Sequence, residues 1–141
     1  MTTLYLPDSV RRQLEAWTAQ GYPYETCGVL VGTQQEGEVR VQRAVQARNL
    51  NTGRARDRYD LAMDDYAAAE DAAVADGLDI VGIWHSHPDH PARPSETDRQ
   101  RAWGGWSYVI VAVHQGQAVD LRSWRLAGDH FTEESIAPWP T

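Results

Sequence analysis

The chain has one cysteine, Cys27, which rules out a disulfide framework within it and agrees with a reducing compartment. No apolar run approaches the roughly 18 residues that a membrane-spanning helix needs. The opening MTTLYLPDSVRR has neither the basic segment nor the apolar core of a secretory signal. A cytoplasmic protein without a membrane partner is the expectation. Basic charge is also scarce: 13 Lys and Arg stand against 20 Asp and Glu, a net charge of −7. Nucleic-acid binding draws on a surplus of cations gathered on one face, so that partner is disfavoured, and a basic or neutral protein is approached more easily. The chain contains no repeat, linker or low-complexity tract.

What is present fits a soluble globular chain. Hydrophobic residues make up 42% and charged residues 23% of 141 positions, which excludes disorder and fibrous classes. A chain of this length buries roughly 68% of its unfolded surface, so one domain over residues 1–141 is expected.

After the short apolar segment LYLP, Asp8 can cap a helix whose Val10, Leu14 and Trp17 share a face, and Gly21 and Pro23 stop it. TCGVLVG, closed by Gly32, and the alternating EVRVQRAV flank QQEG and predict a hairpin. The Ala-rich DDYAAAEDAAVADG, ending at Gly77, predicts a second helix, and LDIVGIWHSH a strand. The proline-laden PDHPARPS is a loop, and Ser95 before ETDRQRAW marks a capped helix start. SYVIVAV and AVDLRSWRL around HQGQ predict a second hairpin. Helix, hairpin, helix, strand, helix, hairpin describes an α/β fold with a mixed, partly antiparallel sheet flanked by helices.

The chemistry concentrates where the strand ends. Residues two apart on a strand point to one face, so His85 and His87 can converge on one ion. Asp98 falls in the first turn of the next helix, where the helix dipole stabilises a carboxylate, and the short loop can return it to the strand end. Two imidazoles and one carboxylate leave a coordination position open, as catalytic zinc sites require. Taken singly, each residue has a plainer reading: a surface histidine pair, a helix-start carboxylate, an N-cap serine. The combination weighs more. Trp84 and four apolar residues among the six before it place both imidazoles at the mouth of a buried strand, where a metal would satisfy them.

These residues resemble a known signature. H-S-H-P, seven residues from His87 to Ser95, then S-x-x-D, with Glu25 upstream in Y-P-x-E-x-C-G-V-L-x-G, is similar to the JAMM or MPN+ motif of zinc metallopeptidases at every motif position. The resemblance implies a cytidine-deaminase-like core, one zinc per chain on His85, His87 and Asp98, Glu25 as general base and Ser95 as donor to the tetrahedral oxyanion. It further implies hydrolysis of the amide or isopeptide bond after the Gly-Gly tail of a ubiquitin-like or sulfur-carrier protein, a deubiquitinase-like activity. With only WGGWS between the Asp98 helix and the next strand, the chain resembles the minimal prokaryotic members rather than those carrying insertions.

Alternatives stand beside this reading. A mononuclear iron oxygenase uses the same two-histidine, one-carboxylate triad but needs neither Glu25 nor Ser95. An amidohydrolase barrel needs about 250 residues. A non-catalytic scaffold of the same fold would not need the full ligand set, and the net charge disfavours a DNA-linked relative. Cys27 reads as a small buried hydrophobe. His90, His114 and His130 read as solvated, with only His90 in reach of substrate. Trp103 and Trp106, beside Gly104 and Gly105, could wall a tail groove, and Arg54, Arg56 and Arg58 read as a solvated loop or a patch for an acidic carrier protein. The oligomeric state is left open.

Overall fold

The computed structural model describes residues 2–139. Seven strands and three helices alternate along them: β1 (Thr3–Tyr5), α1 (Asp8–Gly21), β2 (Cys27–Gln35), β3 (Glu38–Ala47), α2 (Met63–Ala75), β4 (Asp79–Pro88), α3 (Glu96–Arg101), β5 (Ser107–His114), β6 (Gln117–Ala127) and β7 (His130–Ala137). The strands close into a barrel in the order β1-β3-β2-β4-β5-β6-β7. The β1–β3, β1–β7 and β4–β5 pairs are parallel and the other pairs antiparallel, so the expected mixed sheet is present and its edges are joined.

Both predicted hairpins form. The β5–β6 turn is Gln115-Gly116, both at positive φ, as a tight two-residue turn demands. Gly32 does not close β2 as expected. It lies inside the strand at a register shift, where an added Cβ would sit 1.8 Å from the Arg40 carbonyl oxygen, so the glycine serves close approach of β3. Nor does Asp8 cap α1: the N-cap is Pro7, without a side-chain cap bond, and Asp8 lies in the first turn as a charge favourable to the dipole. The first half of LYLP falls in β1, and β7 adds a strand beyond the second hairpin.

The core has two main faces. Leu4, Leu14, Leu30, Val41, Trp84, Val109 and Val111 pack together on the side covered by α1. Val29, Val31, Ile80, Ile83 and Tyr108 pack against Ala69 and Ala73 of α2 on the other. A register irregularity in the β2–β4 pairing, where Leu30 faces Gly82 and Val31 faces Ile80, lets Ile80 and Ile83 share this second face. Regular alternation from Ile83 then carries His85 and His87 along the α2 side.

Candidate metal centre

His85 and His87 lie near the end of β4, the strand held between β2 and β5, and are 1% and 6% exposed. Burial at that level requires their ring nitrogens to be satisfied. His87 Nδ1 lies 2.8 Å from the Pro91 carbonyl oxygen, which fixes Nδ1 as the protonated nitrogen and turns Nε2 toward Asp98 Oδ2 at 3.0 Å. His85 Nε2 faces the other Asp98 oxygen, Oδ1, at 3.6 Å, while its Nδ1 lies 3.3 Å from the Ser86 carbonyl oxygen. One ligand atom from each of His85, His87 and Asp98 falls within 4.8 Å of the others.

Asp98 reaches this position through its helix. Ser95 is the N-cap of α3 and forms a capping box: the Asp98 N–H donates to Ser95 Oγ at 3.0 Å, and the Ser95 N–H donates to Asp98 Oδ2 at 2.8 Å. Burial alone would raise the Asp98 carboxyl, but the charge of His85 and the hydrogen bonds with His87 and the Ser95 N–H outweigh it and hold the group well below the usual carboxylate range. For His85, burial disfavours the imidazolium, yet the Asp98 and Glu25 carboxylates prevail and raise its pKa. A divalent cation at this point would satisfy the facing carboxylate and imidazole groups together.

Glu25 lies two residues before β2 and is 5% exposed. Its Oε1 is 3.5 Å from His85 Nδ1, an ion-pair separation, and has no hydrogen-bond partner among the described residues. A buried carboxylate oxygen left without a donor is costly, and this one borders the three potential ligands. The donor set, two imidazole nitrogens and one carboxylate, together with that orphaned acceptor, fits a catalytic zinc that retains a water.

All five residues expected from the sequence are thus brought together. Cys27 is fully buried opposite His85 in the β2–β4 pairing, and burial, with Glu25 nearby, pushes its thiol up to about 12. Trp103 and Trp106 line an apolar groove with Tyr59, Leu61, Ile83 and Tyr108. His90 borders a separate cleft beside Glu25, His87 and Ser95. His114 and His130 are exposed, as expected.

Three supporting residues have no role assigned from the sequence. Tyr59 stacks on His85 with ring centroids 4.5 Å apart. Ser86, on the opposite face from the two histidines, accepts from the Thr26 N–H at 2.9 Å and ties the end of β4 to the segment carrying Glu25. Asn49 donates to the Glu25 carbonyl at 3.1 Å and the Arg58 carbonyl at 3.0 Å, and accepts from the Asn51 and Asp60 N–H groups. Tyr59 and Asn49 lie in a segment that reads only as polar loop, and Ser86, though inside H-S-H-P, is turned away from the two histidines.

Residues 7–127 match the family model described as prokaryotic homologs of the JAB domain. The chain therefore belongs to the prokaryotic JAB-domain family, which is of the JAMM type. Among its relatives is the desampylase of Haloferax volcanii, 33% identical over 131 residues, or 92% of this chain and 89% of that one. The CysO-cysteine peptidase of Mycobacterium tuberculosis is 33% identical over 124 residues, 86% of this chain and 81% of the relative. A solution structure from Desulfitobacterium hafniense superposes with a TM-score of 0.84 at 26% identity, covering 100% of this chain and 94% of the other. No helix among the described residues is long and apolar enough to cross a membrane.

Proposed function

We propose that the protein is a zinc-dependent peptidase that hydrolyses the amide or isopeptide bond after the C-terminal Gly-Gly of a ubiquitin-like or sulfur-carrier protein. One observation carries the reading: His85, His87 and Asp98 converge on one point, and beside them the buried Oε1 of Glu25 has no partner among the described residues. The names of the two curated relatives, a desampylase and a CysO-cysteine peptidase, support the substrate class.

In this reading His85, His87 and Asp98 would hold the metal. Bound zinc supplies Lewis acidity that lowers the pKa of a coordinated water toward about 7. Glu25, through Oε1, would accept a proton from the attacking water and pass it to the leaving amine. Ser95 uses a lone pair of Oγ to accept from the Asp98 N–H, so its hydroxyl proton remains free to donate to the developing oxyanion. Tyr59 stacks on His85 and keeps solvent from that face. Tyr59 also lines the apolar groove of Trp103, Trp106 and Tyr108, which accommodates the extended tail.

The test is a mass-spectrometric time course on a ubiquitin-like carrier extended beyond Gly-Gly, with a matched substrate in which the last tail glycine is alanine. A Cβ there displaces the scissile carbonyl, and a misplacement of about 1 Å costs about 10²-fold in rate. Cleavage after Gly-Gly, with kcat/KM reduced at least about tenfold by alanine, is expected. Equal cleavage of both tails would leave a peptidase without the Gly-Gly requirement.

A further inference from the structure

The cleft that Glu25, His87 and Ser95 share is lined by arginines in a chain whose net charge is −7. Its volume is about 570 Å³, and its walls are the segment carrying Arg54, Asp57 and Arg58 and the loop carrying His90 and Arg93. Arg54 is neutralised locally, with Nη2 2.6 Å and Nε 3.2 Å from the two Asp57 oxygens. Arg58 and Arg93 are not: among the described residues, no carboxylate lies within ion-pair distance of either guanidinium. With Arg54 and Asp57 paired, Arg58 and Arg93 outnumber Glu25, the other carboxylate lining the cleft, and give it a positive local field against the charge of the whole molecule.

The arginine-bearing wall is fastened to the candidate base. The Glu25 N–H donates to the Ala55 carbonyl, and the Asn49 amide donates to the carbonyls of both Glu25 and Arg58. The Arg58 backbone therefore holds a fixed place relative to Glu25, with its side chain on the cleft wall.

Proton transfer says what enters this cleft. Resting on the function proposed above, hydrolysis adds the water oxygen to the acyl carbon and breaks its C–N bond. One water proton goes by way of Glu25 to the leaving nitrogen, which departs as an amine while the carrier keeps a carboxylate. Glu25 can reach that nitrogen only if the leaving group lies where Glu25 is exposed. Glu25 lines the arginine cleft and is absent from the walls of the apolar groove.

We propose that Arg58 and Arg93 are specificity residues that bind the free α-carboxylate of the leaving group, so that the preferred substrate is a carrier extended by a single amino acid. The guanidinium fork matches a carboxylate with two parallel N–H donors, and charge-assisted bonds of this kind are worth about ten- to a hundredfold in binding. A lysine side chain joined through its ε-nitrogen places no carboxylate beside the scissile bond and forgoes this contact.

The experiment compares kcat/KM of the zinc-loaded protein on two carriers ending in Gly-Gly-X, one with X as the free acid and the other as its α-carboxamide. Wild-type protein should cleave the carboxamide at least about tenfold less efficiently. Arg58→Ala and Arg93→Ala should lower the free-acid value while leaving the carboxamide nearly unchanged, and Arg58→Lys should retain part of the discrimination. Equal wild-type values would overturn the proposal. So would arginine variants that slow both substrates alike, which would assign the cations to the carrier's own surface. Cleavage of neither substrate would remove the peptidase reading itself, and this inference with it.

Discussion

Ser95 and Asp98 cap each other: the Ser95 hydroxyl accepts from the Asp98 N–H at 3.0 Å, and the Asp98 carboxylate accepts from the Ser95 N–H at 2.8 Å. The same carboxylate faces His85 Nε2 and His87 Nε2. A local device for starting a six-residue helix therefore also aims the third candidate ligand and leaves the serine proton free for substrate.

Stability and rate should separate at Ser95. Replacing an N-cap serine by alanine costs about 1 kcal/mol, whereas glycine costs only a few tenths. Loss of an oxyanion donor costs about 10²–10³ in kcat whichever residue replaces it. Thermal melts should rank wild type, Ser95→Gly, then Ser95→Ala, while both variants lose the same large share of kcat. A rate loss that tracked the melting order would reduce Ser95 to a cap.

Metal-free and zinc-loaded protein should respond to pH in opposite senses. The His85 pKa is raised in the metal-free fold, so its contribution to stability is fully present below about pH 6.5 and is lost as pH rises through the folded value. Asp98 has a depressed pKa, so its contribution is present above about pH 3.9 and is lost only in stronger acid. Zinc competes with these protons, so its stabilisation grows with pH. Between pH 6 and 8, Tm should fall in EDTA and rise in excess zinc. Parallel curves would mean that metal and protons do not share these ligands.

Much of the architecture is legible locally, and what is missed is long-range. Leu14 and Val10 mark α1 by period, the Gln115-Gly116 turn marks the second hairpin, and the His85–Asp98 spacing carries its own chemistry. β1 has three residues, and its role in closing the barrel depends on pairing Leu4 with both Val39 and Ile136, which no local pattern encodes. In β7 the residue buried between polar neighbours is Glu134, held by Ser123 Oγ at 2.6 Å, so hydrophobic alternation is hidden. Asn49 reads as a loop asparagine, and only the folded chain places its amide between Glu25 and Arg58.

Gly28, on β2 opposite Trp84, tests how tightly the strand bearing the histidines is held. A Cβ there would sit 2.0 Å from the Val45 carbonyl oxygen and 2.5 Å from Trp84 Nε1, breaking into the 3.2 Å hydrogen bond between those two groups. Gly28→Ala should cost about 2–3 kcal/mol, since overpacking against backbone cannot relax by a rotamer change. Gly104→Ala, with nothing within 4 Å, should stay within about 0.5 kcal/mol. Denaturant titration of the two variants distinguishes these outcomes, and a tolerated Gly28→Ala would contradict the packing around Trp84.

The most direct test of a metal-assisted peptidase with Glu25 as its base is the initial cleavage rate of zinc-loaded Glu25→Gln protein on a Gly-Gly-extended carrier. Glutamine keeps the shape and can still accept a hydrogen bond, but it does not take up a proton at neutral pH. The variant should hold about one zinc per chain and fall to the rate of the metal-free blank, a loss of at least about 10²-fold. Cleavage at a rate near that of wild type, or failure of the variant to hold zinc, would contradict the role assigned to Glu25.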